Sequence, residues 1–301
     1  MEYSLKYKLQ KPDTRDFVYT GKLTTVSNNI ELKMPIIYDQ LQLGSCVSNA
    51  VALCVYYFLK INPSRLYIYF NGRAIGGHNL KQDTGLSVRD GCKSVAKYFI
   101  TNETNWPYNI NEFTTLPNFS SYNSAITFKN MVYNAVKQDI NSIKSCLSAG
   151  LPILIGIAIY SSFLTQSVAN TGIIPMPNTN IEKIQGYHCV TVIGYDDIKK
   201  VFKCANSWGK NWGDKGYFYL PYNYIININL AFDFWCISFI LNVPKVKNLT
   251  NNNLLLKKKS VLHHPKINHP KINHPKINHP KINHPKINHS TNKILLITIK
   301  K

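Results

Sequence analysis

An α+β fold in two lobes is the class this sequence predicts, and three observations carry it. After Ser45 apolar residues recur at three- and four-residue steps; after Gly150 the preferences flip to short β-branched and aromatic runs; and Gly, Asn, Asp and Pro separate those runs. A helical first half followed by a strand-rich second half makes two lobes, and groups from both meet at the seam, where ligand clefts form.

The elements follow in chain order. Residues 1–35 are polar and mixed, without a long periodic run, and read as a lead segment. It is expected to lie extended on the surface, and it is also a candidate cover for the cleft. Val47, Ala50, Val51, Cys54, Val55 and Phe58 then mark a helix with one buried face. Ser45 is its candidate N-cap, and INPS at 61–64 its stop. Short helices are expected within 65–100, a turn at NWPYN (105–109), and a further helix over 136–148, closed by Ala149 and Gly150. PILIGIAIY, GYHCVTVIGYDD, VFKCANSWG, GYFYLP and FWCISFIL are the predicted strands. The left lobe spans about 36–135 and the right about 136–244. Beyond Pro244, a tail (245–301) carries five copies of HPKIN, whose prolines forbid a continuous helix and predict an extended or disordered segment.

Of the 301 residues, 45% are hydrophobic and 12% aromatic, a globular composition. The net charge of +20 suggests a polyanion binder until it is apportioned. Thirteen lysines and no acid lie in the tail, leaving 22 basic against 15 acidic residues for positions 1–244. A solvated tail expanded by replication slippage is the plainer reading of that stretch, and weak polyanion binding by the tail is the alternative. Five-residue spacing does not gather the tail histidines around one ion, so no metal and no cofactor are expected. Seven cysteines, an odd number without a CxxC pair, fit a reducing compartment better than a disulfide framework. The first 30 residues lack the apolar core of a signal peptide, and no run reaches the roughly 18 residues of a membrane span. The expected location is the cytoplasm of the producing or host cell, with the virion as a second.

Cys46, His188 and Asn206 stand at joints of this layout: a helix start, a strand start and a strand end. A thiol with an ordinary pKa of about 8.5 is mostly protonated at neutral pH. At a helix N-terminus, beside an imidazolium, it shifts toward thiolate and becomes both nucleophile and partner of a general acid. Asn206 would hold the far ring nitrogen of His188. Gln40, upstream on the loop, would offer its amide to a developing oxyanion beside the Cys46 N–H.

These residues carry a specific resemblance. Gln40…Gly44-Ser45-Cys46, Gly186-Tyr187-His188, and Asn206-Ser207-Trp208-Gly209…Trp212-Gly213…Gly216-Tyr217 resemble the papain-like cysteine peptidases over residues 36–240. The 142 residues from Cys46 to His188 lie within that family's spacing of roughly 130–150 residues. KPDTRDFVY, SRLYIYFNGR and NWPY are similar to its short bacterial and large-DNA-virus branch. Abundant Ile, Asn, Lys and Tyr suit an AT-rich genome such as an insect iridovirus has. The resemblance implies a papain-like fold, a helical left lobe beside an antiparallel, β-barrel-like right lobe. It also implies a thiol endopeptidase acting on protein or peptide substrates through an acyl-enzyme. Gln40 matches the oxyanion glutamine and Trp208 the indole over the His–Asn hydrogen bond. Gly85 matches the glycine that pairs with substrate backbone, and Cys189 a position lining a substrate side-chain pocket. Leu43 and Val47 depart from the family's usual Cys and Trp, and the family's long propeptide has no counterpart here.

Two other functions fit less well. A catalytically silent papain-fold module that binds peptides is under no chemical demand to keep Gln40, Cys46, His188 and Asn206 together. Acyl transfer such as transglutamination usually orients the imidazole with Asp, where this chain has Asn206.

Overall fold

The computed structural model describes residues 3–22, 27–127 and 131–239. The HPKIN tail lies outside them. Strand β1 (Asn29–Glu31) precedes three helices, α1 (Cys46–Leu59), α2 (Arg65–Ile75) and α3 (Val88–Tyr98). Capping fixes where α2 and α3 begin: the Ser64 hydroxyl accepts from the Tyr67 N–H, and the Ser87 hydroxyl from the Asp90 N–H. Helix α1 ends where Lys60 adopts a left-handed conformation, just before the INPS stop. Its first ten residues, Cys46–Val55, are all buried, where the sequence promised one buried face. The reason is packing on several sides: α1 meets both α2 and α3 and also the long strand β4 described below.

After the short helix α4 (Phe119–Asn123) the chain enters the sheet with β2 (Met131–Ala135). Helix α5 spans Ile140–Ser148, four residues shorter at its start than the periodicity suggested. Asp139 caps it by accepting from the Ser142 N–H, while the Gln138 amide is drawn away to the carbonyls of Ile225 and Ala231. Strand β3 (Ile153–Tyr160), helix α6 (Gln166–Thr171), strands β4 (Ile184–Asp196), β5 (Val201–Ala205) and β6 (Tyr217–Pro221), helix α7 (Tyr222–Ile226) and strand β7 (Ala231–Phe239) complete it.

The strands form one antiparallel sheet in the order β2-β7-β3-β4-β5-β6, with β1 added to β4. Strand β4 is long enough to pair with β3 through its first half and with β5 and β1 through its second. Two apolar clusters follow. One is enclosed by the sheet strands and α5, around Ile155, Ile157, Phe163, Phe202 and Phe218. The other joins α1–α3 to the opposite sheet face through Leu154, Cys189, Ile193 and Trp235. Helices on one side and a sheet with its own core on the other make the α+β, two-lobe architecture. Cys46 at the head of α1 and His188 in the body of β4 thus lie at the contact between the lobes. Among the described residues, no helix is long and apolar enough to cross a membrane.

Candidate active site

The turn before α1 is tied down from several directions. The Asp83 carboxylate accepts from the Gly44 N–H at 3.0 and 3.2 Å and from the Tyr69 hydroxyl. Ser45 does not cap α1 with its side chain; its hydroxyl pairs with the Tyr108 hydroxyl at 2.5 Å and accepts from Asn49 Nδ2 at 3.0 Å. Arg65 reaches Asn49 and the Asp39 carbonyl while paired with Glu103. Cys46 therefore begins a helix whose first turn has little freedom. It is fully buried, and burial pushes its thiol up to about 12, with the N–H groups of Cys189 and Val47 pulling the other way.

His188 sits opposite Ile157 in the β3–β4 ladder, likewise without solvent exposure. Its Nε2 donates to Asn206 Oδ1 at 2.8 Å, an oxygen that also accepts from the Ser207 N–H. That bond leaves Nδ1 as the ring's lone-pair nitrogen, and Nδ1 is buried without a hydrogen-bond partner. The Trp208 indole lies on the imidazole at 4.8 Å between ring centres and 28° between planes, backed by Phe163 and Trp212. Burial lowers the imidazole to about 4, opposed by Asn206. Among the described hydrogen bonds none joins Cys46 to His188, and burial disfavours the charge on each. In a site closed to water, both groups are favoured in their neutral forms.

What closes it is the chain's own beginning. The Tyr3 ring stacks on Trp208 at 4.6 Å and 6°, and its hydroxyl donates to the Trp208 carbonyl. The Ser4 carbonyl accepts from Gln40 Nε2 at 3.1 Å. Tyr187 in β4 exchanges backbone hydrogen bonds with Leu5 and Tyr7, while the Lys8 N–H donates to Leu86 on the helical side. Lys6 pairs with Asp83 at 3.0 Å. Tyr7, only 4% exposed, donates to Asp233 at 2.6 Å and lies near enough to Cys46 and Cys189 for either thiolate to raise it. Residues 3–10 form a strap held by both lobes.

Of the other residues singled out from sequence, Gln40 is fully buried. Its Oε1 accepts from the Ser207 hydroxyl at 2.7 Å, and its Nε2 serves the carbonyls of Ser4 and Leu43. Gly85 has φ +72° and faces the strap so closely that a Cβ there would collide with the Lys6 carbonyl oxygen. Cys189 is buried beside Tyr7 and next to His188. Tyr3, Tyr7, Asp83, Ser207 and Asp233 were missed. Asp233 alone carried a signal: an acid between Phe232 and Phe234 inside a strand pattern. Among the described residues, no three His, Cys, Asp or Glu side chains are grouped to hold a metal ion.

Comparison with known proteins follows the same lines. Residues 83–232 match the family model described as papain family cysteine protease, a span that contains His188 and Asn206 and begins after Cys46. A peptidase C1-like protein of Acanthamoeba polyphaga mimivirus is 33% identical over 285 residues, covering 82% of this chain and 90% of its own length. Xylellain, a cysteine protease from Xylella fastidiosa, matches with a TM-score of 0.73 and 35% identity over 79% of this chain and 97% of its own. Digestive procathepsin L2 of Tenebrio molitor, at 16% identity and a TM-score of 0.62 over 79% of this chain and 78% of its own, shares the fold alone.

Proposed function

The chain belongs to the papain family of cysteine proteases, and from that membership we propose that it hydrolyses peptide bonds through an acyl-enzyme on Cys46. The observation that carries this reading is the state of His188: one nitrogen held by Asn206 at 2.8 Å, the other buried and unpartnered. A base needs a fixed ring and a free lone pair, and both are present.

Once a substrate replaces the strap, the Cys46 thiol proton passes to His188 Nδ1, and the thiolate attacks the scissile carbonyl carbon. The electron pair moves onto the oxygen, which the Cys46 N–H and Gln40 Nε2 receive after Gln40 releases Ser4. Collapse expels the amine, protonated from His188 Nδ1, and leaves a thioester. Water then attacks that thioester, giving its proton to Nδ1; collapse frees the carboxylic acid and returns the proton to sulfur. Asn206 keeps Nε2–H aligned throughout, and Trp208 shields that bond. Gly85 and Cys189 would meet the substrate where they now meet the strap. Epoxide labelling of Cys46, lost in Cys46→Ala, tests the assignment.

In this reading the domains are a lead (1–35) whose residues 3–10 close the cleft, a peptidase domain (36–244) with lobes dividing near 135, and a basic tail (245–301). A silent peptide-binding module is the second reading, favoured only by the complete burial of Cys46 and His188. Failure of any peptide to be cleaved after the strap is loosened would favour it. Weak polyanion binding by the tail stands separately, tested by whether deleting 245–301 changes salt-dependent retention on DNA.

A further inference from the structure

The pocket that holds Tyr7 has features the strap alone does not require. Its floor is Asp233, placed by an irregularity in the sheet: the β3–β7 register shifts between Leu154 and Gly156, so Leu154 pairs with Trp235 but Gly156 with Phe232. An extra β7 residue is accommodated there, and Asp233 takes φ +56°, a left-handed conformation that a non-glycine residue rarely adopts. The kink aims a carboxylate inward. The walls are aromatic or small. Phe232 lies 5.6 Å from the Tyr7 ring and 5.6 Å from Tyr187, between centres. Gly156 makes room: a Cβ there would strike the Phe232 ring and come within 2.8 Å of Tyr7 Cε1.

The partners of Asp233 are the decisive part. Both described donors to its carboxylate belong to the strap, the Tyr7 hydroxyl at 2.6 Å and the Gln10 N–H at 3.2 Å. Arg89, whose charge reaches it, is itself paired with Asp16. When the strap leaves, the Asp233 carboxylate keeps no described protein donor and turns to water until an occupant covers it. An unmatched buried acceptor is costly, and the cost falls on any occupant that cannot supply a donor.

We propose that Asp233 sets substrate preference, the pocket selecting peptides that place a tyrosine there over the same peptides carrying phenylalanine. This rests on the peptidase reading and on the strap standing where substrate goes. Asp233 is the group that distinguishes a ring with a hydroxyl from one without, and Tyr7 is the chain's own copy of the preferred residue.

The test uses the full chain carrying Tyr7→Ala, which vacates the pocket. Peptides differing only by a Tyr-to-Phe exchange, moved along the sequence upstream of the cut, are compared by kcat/KM. At one position Tyr is expected to exceed Phe about tenfold or more, as a hydrogen bond to a charged group implies. Adding Asp233→Gly, which suits φ +56°, should bring the ratio to near one while the Phe peptide is still cleaved. An unchanged ratio, or no position with a preference, overturns the proposal while leaving the peptidase reading intact. No cleavage of any peptide overturns both. Should Asp233→Gly fail to fold, Asp233→Asn with Tyr7→Phe serves as a double-mutant cycle read by Cys46 labelling. Tyr7→Phe should speed labelling about tenfold when Asp233 is present and distinctly less in the Asp233→Asn background; equal effects overturn the proposal.

Discussion

Gln40 Nε2 donates to the backbone carbonyl of Ser4 at 3.1 Å, so the amide proposed to receive an oxyanion already binds a peptide oxygen from its own chain. The same nitrogen donates to the Leu43 carbonyl at 3.0 Å, and Gln40 Oε1 accepts from Ser207. Gln40→Ala should therefore lower kcat by about 100- to 1,000-fold. It should also destabilise the chain by about 1–3 kcal/mol, since the buried Ser207 hydroxyl loses its acceptor. Steady-state kinetics and denaturant unfolding separate the two effects; full activity in the variant would remove Gln40 from the mechanism.

Loosening the strap should activate. Tyr3 and Tyr7 hold it through the Trp208 stack and the Asp233 hydrogen bond. Tyr3→Ala or Tyr7→Ala should raise both peptide cleavage and epoxide labelling at neutral pH by about tenfold or more, as lost aromatic burial implies. Equal rates in parent and variant would mean that the strap does not limit access.

Gly85→Ala distinguishes release of the strap from repair of the cleft. At φ +72°, with the Lys6 carbonyl already against the glycine, a methyl group obstructs any peptide running there. The strap should loosen, yet KM should rise about tenfold or more, so labelling by a small epoxide increases while peptide cleavage does not. A parallel increase in both would show that substrate backbone passes elsewhere.

Stability should fall in acid, and the sign follows from His188. Burial lowers its folded pKa to about 4 from an ordinary 6.5, so between those values the unfolded chain binds the extra proton. The contribution is fully present above pH 6.5 and lost as pH drops to 4, by about 3 kcal/mol in order of magnitude. Asp233, raised by burial, opposes this over the carboxylate range. Thermal unfolding from about pH 7 to 4 should show the decline, and His188→Gln should flatten it. An equally steep profile in the variant would place the titrating group elsewhere.

The proposed catalytic residues were legible because their chemistry is tied to residue type near element boundaries. Cys46 heads α1 and Asn206 follows the end of β5 as expected, whereas His188, expected at a strand start, stands inside β4 because that strand begins pairing with β3 at Ile184. The main strands were legible from their β-branched runs, but β1 and β2 were not. The three residues of β1 carry too little periodicity, and β2, without the bounding turn residues that marked β5 and β6, owes its place to pairing with β7 more than 90 residues away. The strap was read only as a lead and a candidate cover. Its anchors join Tyr3 to Trp208 and Tyr7 to Asp233, contacts across more than 200 residues that no local pattern encodes. The burial of Cys46 and His188 was hidden for the same reason: residue types suggested a charged pair, whereas burial raises the thiol and lowers the imidazole.

The most direct measurement is epoxide titration of the purified full chain and its Tyr7→Ala variant, followed by peptide mapping. One equivalent is expected on Cys46 in both, slow in the full chain and about tenfold or more faster in the variant, with peptide cleavage lost in proportion to labelling. Modification of Cys189 or another thiol instead, or cleavage that persists after Cys46 is fully blocked, would contradict the assignment.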